Sequence, residues 1–215
     1  MKKIRKSLDY CQEYGLKCFF LKLFSRRTYE FGNYEEWINH HKVSAEEANR
    51  QRSCLFAFMP KISIAVPAYE TPENFLREMI ESVQKQTYDN WELCIADGSK
   101  SGKVAEIIKE YSEYDDRIKI QCLENEGIVG NSNRALEMCT GDYIGLLDHD
   151  DVLEVNTLYE VADAINKKPK AGLIYSDEDK MSADSKRLSD PHFKPDYNVD
   201  LLRANNYICH FCVIR

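Results

Sequence analysis

KISIAVPAYETPENFLREMIESVQKQTYDNWELCIADGS, residues 61–99, places an apolar run, a longer amphipathic run and a second apolar run in succession. Residues 62–66 are β-branched and apolar enough for a buried strand. Residues 73–86 put Phe75, Met79, Ile80 and Val83 on one helical face, and residues 91–96 make the next strand. Two buried strands joined by a helix of this length must run parallel, because the crossover spans the sheet.

Outward from that unit the alternation continues. Val104, Ile107, Ile108 and Tyr111 share a helical face, followed by a strand over 118–123 and a helix over 129–139. A fourth strand over 142–147 leads to a helix carrying Leu158, Val161, Ala162 and Ile165, then a fifth strand over 173–176. The expected fold class is α/β: a Rossmann-like, mostly parallel sheet with helices on both faces. Upstream the pattern changes. Residues 1–60 read as an N-terminal helical extension and residues 61–215 as the main domain.

Within the extension, Leu16, Phe19, Phe20 and Leu23 form an apolar stripe flanked by Lys17, Lys22, Arg26 and Arg27. Such a helix can lie on an anionic membrane surface or dock on the main domain. Ser44 and Glu47 have capping-box spacing for a short helix running toward Arg52.

With 43% hydrophobic and 30% charged residues the chain has the composition of a folded globular protein. A net charge of −7 argues against nucleic acid as the partner, since phosphate backbones need clustered Lys and Arg. An anionic ligand would need helix N-termini, backbone amides or a bound cation. Eight cysteines lie scattered without the spacing of a disulfide framework, and charged residues interrupt any export signal or spanning helix. The expected location is cytoplasmic, at the inner face of the membrane if the N-terminal helix binds lipid.

Parallel sheets gather ligands where the loops leave the carboxyl ends of their strands. That rule selects residues 67–70, 97–101, 125–133 and 148–151. In the last loop an apolar strand runs directly into Asp148, His149, Asp150 and Asp151. Three crowded carboxylates repel one another unless a cation neutralises them, and oxygen ligands beside phosphate suit Mg²⁺ or Mn²⁺. A solvated acidic turn capping the next helix is the competing reading.

Four elements, in order, resemble family 2 glycosyltransferases of GT-A fold, and most closely the bacterial branch of rhamnosyltransferase-like and galactosyltransferase-like proteins of cell-surface polysaccharide synthesis. They are residues 62–69 with Pro67 and Tyr69; Asp97, Gly98 and Ser99 at a strand end; Asn125–Asn133 with its glycines; and residues 141–147 leading to the acidic cluster, which resembles the family's DxD motif. Glu70 stands where the family usually has Asn, Ser132 where many relatives have Arg, and the second Asp common after Asp97 is missing.

The resemblance implies a nucleoside diphosphate sugar, UDP- or TDP-linked, held by Pro67, Tyr69, Glu70, Asp97, Asn133 and Asp148. It implies Mn²⁺ or Mg²⁺ at Asp148 and Asp150, and a saccharide or lipid-linked acceptor. It also implies inversion at the anomeric carbon, assisted by a carboxylate base. In the family that base follows the acceptor-side strand, so it is expected beyond Arg215 and the acceptor half is expected to be incomplete. Asp177 and Asp179 are the weaker candidates within the sequence. A nucleotide-sugar-binding module without turnover is the alternative. A dinucleotide-binding oxidoreductase is disfavoured, because residues 67–70 contain no glycine. Cys209 and Cys212 form a C-x-x-C, but their apolar neighbours read as a buried strand rather than a zinc half-site.

Overall fold

A computed structural model describes residues 34–215. The apolar stripe of Leu16, Phe19, Phe20 and Leu23 lies outside the described residues. The described residues divide into two compact units: residues 43–178 with 192–215, and residues 34–42 with 179–191.

The larger unit is built on a six-stranded sheet. Its strands are β1 (Ile62–Ala68), β2 (Trp91–Asp97), β3 (Ile118–Cys122), β4 (Tyr143–Leu146), β5 (Leu173–Tyr175) and, last in the chain, β8 (Cys212–Ile214). Their order is β3-β2-β1-β4-β8-β5. The first four run parallel, with Ile62 beside both Trp91 and Tyr143. β8 is antiparallel to both of its neighbours, β4 and β5. A mostly parallel α/β sheet is therefore observed as expected. The antiparallel insertion of β8 is a feature that the alternating pattern upstream could not announce.

Strand alternation sorts the core onto two faces. Ile62, Ile64, Val66, Leu93 and Ile95 share one cluster with α3 (Glu73–Gln84), α4 (Lys103–Ser112) and α6 (Thr157–Lys167). Ala65 and Ala96 face the other way, against Ala135 of α5 (Gly127–Glu137). Covered on both faces, β1 and β2 are buried almost throughout, which is why they read as continuous apolar runs. On α3 the fully buried residue of the first turn is Leu76, with Phe75 only half-buried. The inner stripe is thus Leu76, Met79, Ile80 and Val83, with Leu76 in the place expected of Phe75 and the other three as expected.

Glu92 is the polar exception in β2. Its carboxylate accepts from Ser63 Oγ at 2.6 Å and from the Thr140 backbone N–H at 2.6 Å, and it pairs with Lys61 and Lys119 at 2.6 and 2.7 Å. Burial by itself would raise its pKa, but these donors hold it far below the usual carboxylate range. The cluster ties β1, β2, β3 and the entry to β4 together at their amino ends.

α2 (Ala45–Arg52) opens as Ser44 and Glu47 predict, with Ser44 Oγ accepting from the Glu47 N–H. The reciprocal half of the box is not made, because Glu47 turns to Arg50 and Gln51. Gln51 is buried and accepts from the Thr87 hydroxyl at 2.7 Å, which fixes α2 on the larger unit. A short helix, α7 (Val199–Ala204), precedes β8 and is capped by the Asn198 side chain.

In the smaller unit, α1 (Tyr34–His41) stacks Tyr34 on Trp37 and Trp37 on His41. Tyr34 donates to the Asp179 carboxylate at 2.6 Å. Strands β6 (Glu178–Met181) and β7 (Leu188–His192) pair as a two-stranded sheet. Among the described residues no helix is long and apolar enough to cross a membrane, and the six described cysteines are free thiols.

Candidate active site at the carboxyl edge of the sheet

The loops leaving β1, β3 and β4 converge with the start of α5 around a cavity of about 250 Å³, lined by Pro67, Tyr69, Asn125, Ile128, Asn131, Asp148, His149 and Asp150. Its floor is fastened by the backbone. Gly98 N–H donates to Ala68 O at 3.0 Å, so the parallel ladder between β1 and β2 continues one residue past the end of β2. Asp97, 2% exposed, accepts the Ser99 N–H at 2.9 Å.

Glu70 occupies a left-handed conformation (φ 47°), and its carboxylate accepts from the Lys100 and Ser101 N–H groups. The Lys100 backbone hydrogen bond, foremost among these, lowers its pKa. The Glu70 carboxylate thus braces the 97–101 loop. Gly98 has no room for a side chain: a Cβ there would stand 2.7 Å from Asn131 Nδ2 and 3.2 Å from Asn125 Cα.

α5 begins at the cavity. Gly127 takes a φ of 75°, and Glu126 at the N-cap offers no side-chain cap. The Gly127 N–H is taken by Asn125 Oδ1 at 2.9 Å, and the positive end of the helix dipole is directed to the region that an anion would occupy. Asn131, 3% exposed, accepts the Glu126 N–H and donates to Asn125 Oδ1. Two residues on, Asn133 is exposed. Positions two apart on a helix lie about 200° apart, so only one of these asparagines can face the cavity. It is Asn131.

After β4 the chain delivers the acids. Asp148 and Asp150 both line the cavity. The tightest grouping is of Asp148, Asp151 and His210, whose ligand atoms lie within 4.8 Å of one another. His210 Nε2 is 3.6 Å from Asp148 and its Nδ1 is 3.9 Å from Asp151. Burial raises the Asp151 pKa, His210 offsets part of that, and Asp148, Asp150 and Glu178 add to it. Two carboxylates and an imidazole this close together make a set that a divalent ion would relax, and the donor types suit Mn²⁺ as well as Mg²⁺. Asp150 is exposed, 3.9 Å from His149 Nδ1, a buried nitrogen without a hydrogen-bond partner.

Of the residues singled out from sequence, Pro67, Tyr69, Asp148 and Asp150 meet on the cavity wall, while Asp97 and Glu70 act in the loop beneath it. Asp177 accepts the Lys194 N–H, and Asp179 belongs to the smaller unit. Asp151 belongs to the acidic turn named from sequence, although the resemblance pointed to Asp148 and Asp150 as the ligands; Asn131 and His210 were not singled out. The phase of α5 could have indicated Asn131. His210 needed the β4–β8 pairing, which no local pattern encodes. Cys209 is exposed, and β8 starts only at Cys212, so the C-x-x-C straddles the strand end; neither thiol belongs to the acidic grouping.

Comparison with known proteins agrees with this architecture. The sequence profile of glycosyl transferase family 2 matches residues 63–215. The uncharacterized protein y4gI of Sinorhizobium fredii is 45% identical over 156 residues, 72% of this chain and 17% of that protein. The O-antigen biosynthesis protein RfbC of Myxococcus xanthus is 35% identical over 185 residues, 85% of this chain and 14% of that protein. The chain thus spans less than a fifth of the length of these two relatives. Among solved structures, TarS 1–349 of S. aureus aligns with a TM-score of 0.50 at 24% identity, covering 54% of this chain and 34% of TarS, a likeness of fold. By its sequence over more than half its length, the chain belongs to glycosyl transferase family 2.

Proposed function

We propose that residues 61–215 form the donor-binding part of a metal-dependent, inverting glycosyltransferase, with residues 1–60 as an appended segment. The donor is a UDP- or TDP-sugar and the acceptor a saccharide or lipid-linked saccharide of cell-surface polysaccharide synthesis. The observation that carries this reading is the meeting of Asp151 and His210 with Asp148, which lines the cavity that also receives the start of α5. The name of the Myxococcus xanthus relative supports the polysaccharide assignment.

In this reading Asp97 accepts from the base, Pro67 and Tyr69 flank it, and Asn131 and the α5 N–H groups face the diphosphate. Asp148 and His210 bind the cation. The second carboxylate is Asp150 by family resemblance and Asp151 by proximity, and parallel Asn substitutions at the two positions separate them. A bound divalent ion would neutralise charge on the departing diphosphate. Asp177 and Asp179 are both engaged in hydrogen bonds, which favours donor binding without turnover as the second reading for this chain.

A calorimetric series of UDP, TDP and GDP, each with and without Mn²⁺, tests the proposal. Binding of UDP or TDP that requires the ion supports it, and equal binding without the ion counts against it. Release of nucleoside diphosphate from a sugar donor in the presence of acceptor then distinguishes transfer from binding alone.

A further inference from the structure

Lys194 carries a charge in a place that gives it no water. Its side chain is 1% exposed. An ammonium group has three N–H donors and no acceptor, and burial without partners would cost several kcal/mol. All three donors are answered: the Ile208 carbonyl at 2.7 Å, the His210 carbonyl, and Glu178 Oε2 at 3.3 Å. Glu178 in turn accepts the His210 backbone N–H at 3.2 Å and lies 2.9 Å from His192 Nδ1. Both backbone polar groups of His210 are therefore held by one ion pair, between a buried Lys194 and a partly exposed Glu178. The segment it holds is irregular, with Cys209 at a positive φ of 34°, and the strand begins only at Cys212. No helix or sheet ladder satisfies the His210 backbone in its place.

We infer that Lys194 and Glu178 are positioning residues, a clamp on the backbone of His210 that aims its imidazole at Asp148 and Asp151. This inference rests on the cation reading of the Asp148, Asp151 and His210 group. Neither Lys194 nor the Glu178 carboxylate need touch the cation or the donor. The clamp acts by removing the freedom of the 208–211 segment, so that an imidazole carried by a loop stands where one carried by a rigid strand would stand. A buried ion pair is a poor way to gain stability, since desolvation offsets most of the attraction. It is a good way to fix one conformation, because each carbonyl and N–H has a single directional partner.

The test uses the full 215-residue chain and Mn²⁺ alone, read by the loss of the free-ion electron paramagnetic resonance signal. The variants are Lys194→Met, the charge-balanced double Lys194→Met/Glu178→Gln, His210→Ala and His210→Ala/Lys194→Met, each held below its own unfolding temperature. The double with Glu178→Gln leaves no uncompensated buried charge, so it keeps the measurement possible if Lys194→Met alone does not fold. Weakening of Mn²⁺ binding by about tenfold is expected in both clamp variants, the size usual for residues that orient a metal ligand. His210→Ala should weaken it more, and adding Lys194→Met to His210→Ala should change nothing further, because the clamp has nothing left to aim. Unchanged Mn²⁺ affinity in the clamp variants, or losses that add in the His210→Ala double, would overturn the positioning role while leaving the cation site intact. A wild-type chain that does not bind Mn²⁺, or binds it equally after His210→Ala, would remove the cation reading and this inference with it.

Discussion

His210 Nε2 stands 3.6 Å from the Asp148 carboxylate because β8 runs antiparallel to β4. Leu146 pairs with Cys212, so the residues that follow β4 lie beside the residues that precede β8. Gly145 makes this possible in a second way: the Phe211 ring lies across it, and a Cβ there would come within 2.2 Å of the ring. The imidazole is therefore placed by sheet register. Replacing Gly145 with Ala should push Phe211 and its neighbour His210 away, weakening Mn²⁺ binding and costing roughly 1–3 kcal/mol by overpacking. Urea unfolding combined with an Mn²⁺ titration checks both effects.

Gly98→Ala is expected to act on the nucleotide side. The added methyl meets Asn131 and the backbone of Asn125, so the 97–101 loop or the start of α5 must move. A stability loss of about 1–3 kcal/mol is expected, with nucleotide binding reduced and Mn²⁺ binding in the absence of nucleotide retained. Calorimetry on the same sample separates the two.

Asp97→Asn keeps the shape of the loop and removes a charge. The fold should persist, since Asn can still accept the Ser99 N–H. Affinity for a pyrimidine nucleotide should fall by roughly 1.5–3 kcal/mol, the worth of a hydrogen bond to a charged group. Retained affinity would show that Asp97 is purely a loop residue.

Glu92 sets the acid limit of stability. Its folded pKa is depressed, so its contribution is complete above the unfolded value, about 4.3 for a free Glu, and is lost as pH falls below that toward the folded value. Glu92→Gln should cost about 2 kcal/mol at neutral pH, because the two lysines can turn to water but Ser63 and the Thr140 N–H keep only a neutral partner. It should also flatten the fall in stability below pH 4.3. Thermal melts between about pH 3 and pH 7 provide the measurement.

Much of this was legible before any coordinates. Buried parallel strands leave unbroken apolar runs, so β1 and β2 stand out in ISIAVPA and WELCIAD, and the helices follow from their stripes. Loops at the carboxyl ends of those strands then had to hold the site, and Pro67, Tyr69, Asp97, Asp148 and Asp150 could be named. What escaped did so for three separate reasons. Asn131 against Asn133 is a question of helix phase, which the glycine-rich start of α5 obscures. The β6–β7 pair consists of short, half-exposed strands with Asp, Lys and Pro in them, so neither carries an apolar alternation. His210, Lys194 and Glu178 meet through pairings distant in sequence, and no spacing rule connects them.

The account turns on a divalent ion seated between the acids after β4, His210 and a nucleoside diphosphate. Crystals of the chain grown with UDP and Mn²⁺, with diffraction recorded at the manganese absorption edge, give the most direct measurement. An anomalous peak touching Asp148, His210 and the diphosphate is the predicted result. A nucleotide seated in the cavity with no anomalous scatterer beside Asp148 would contradict it.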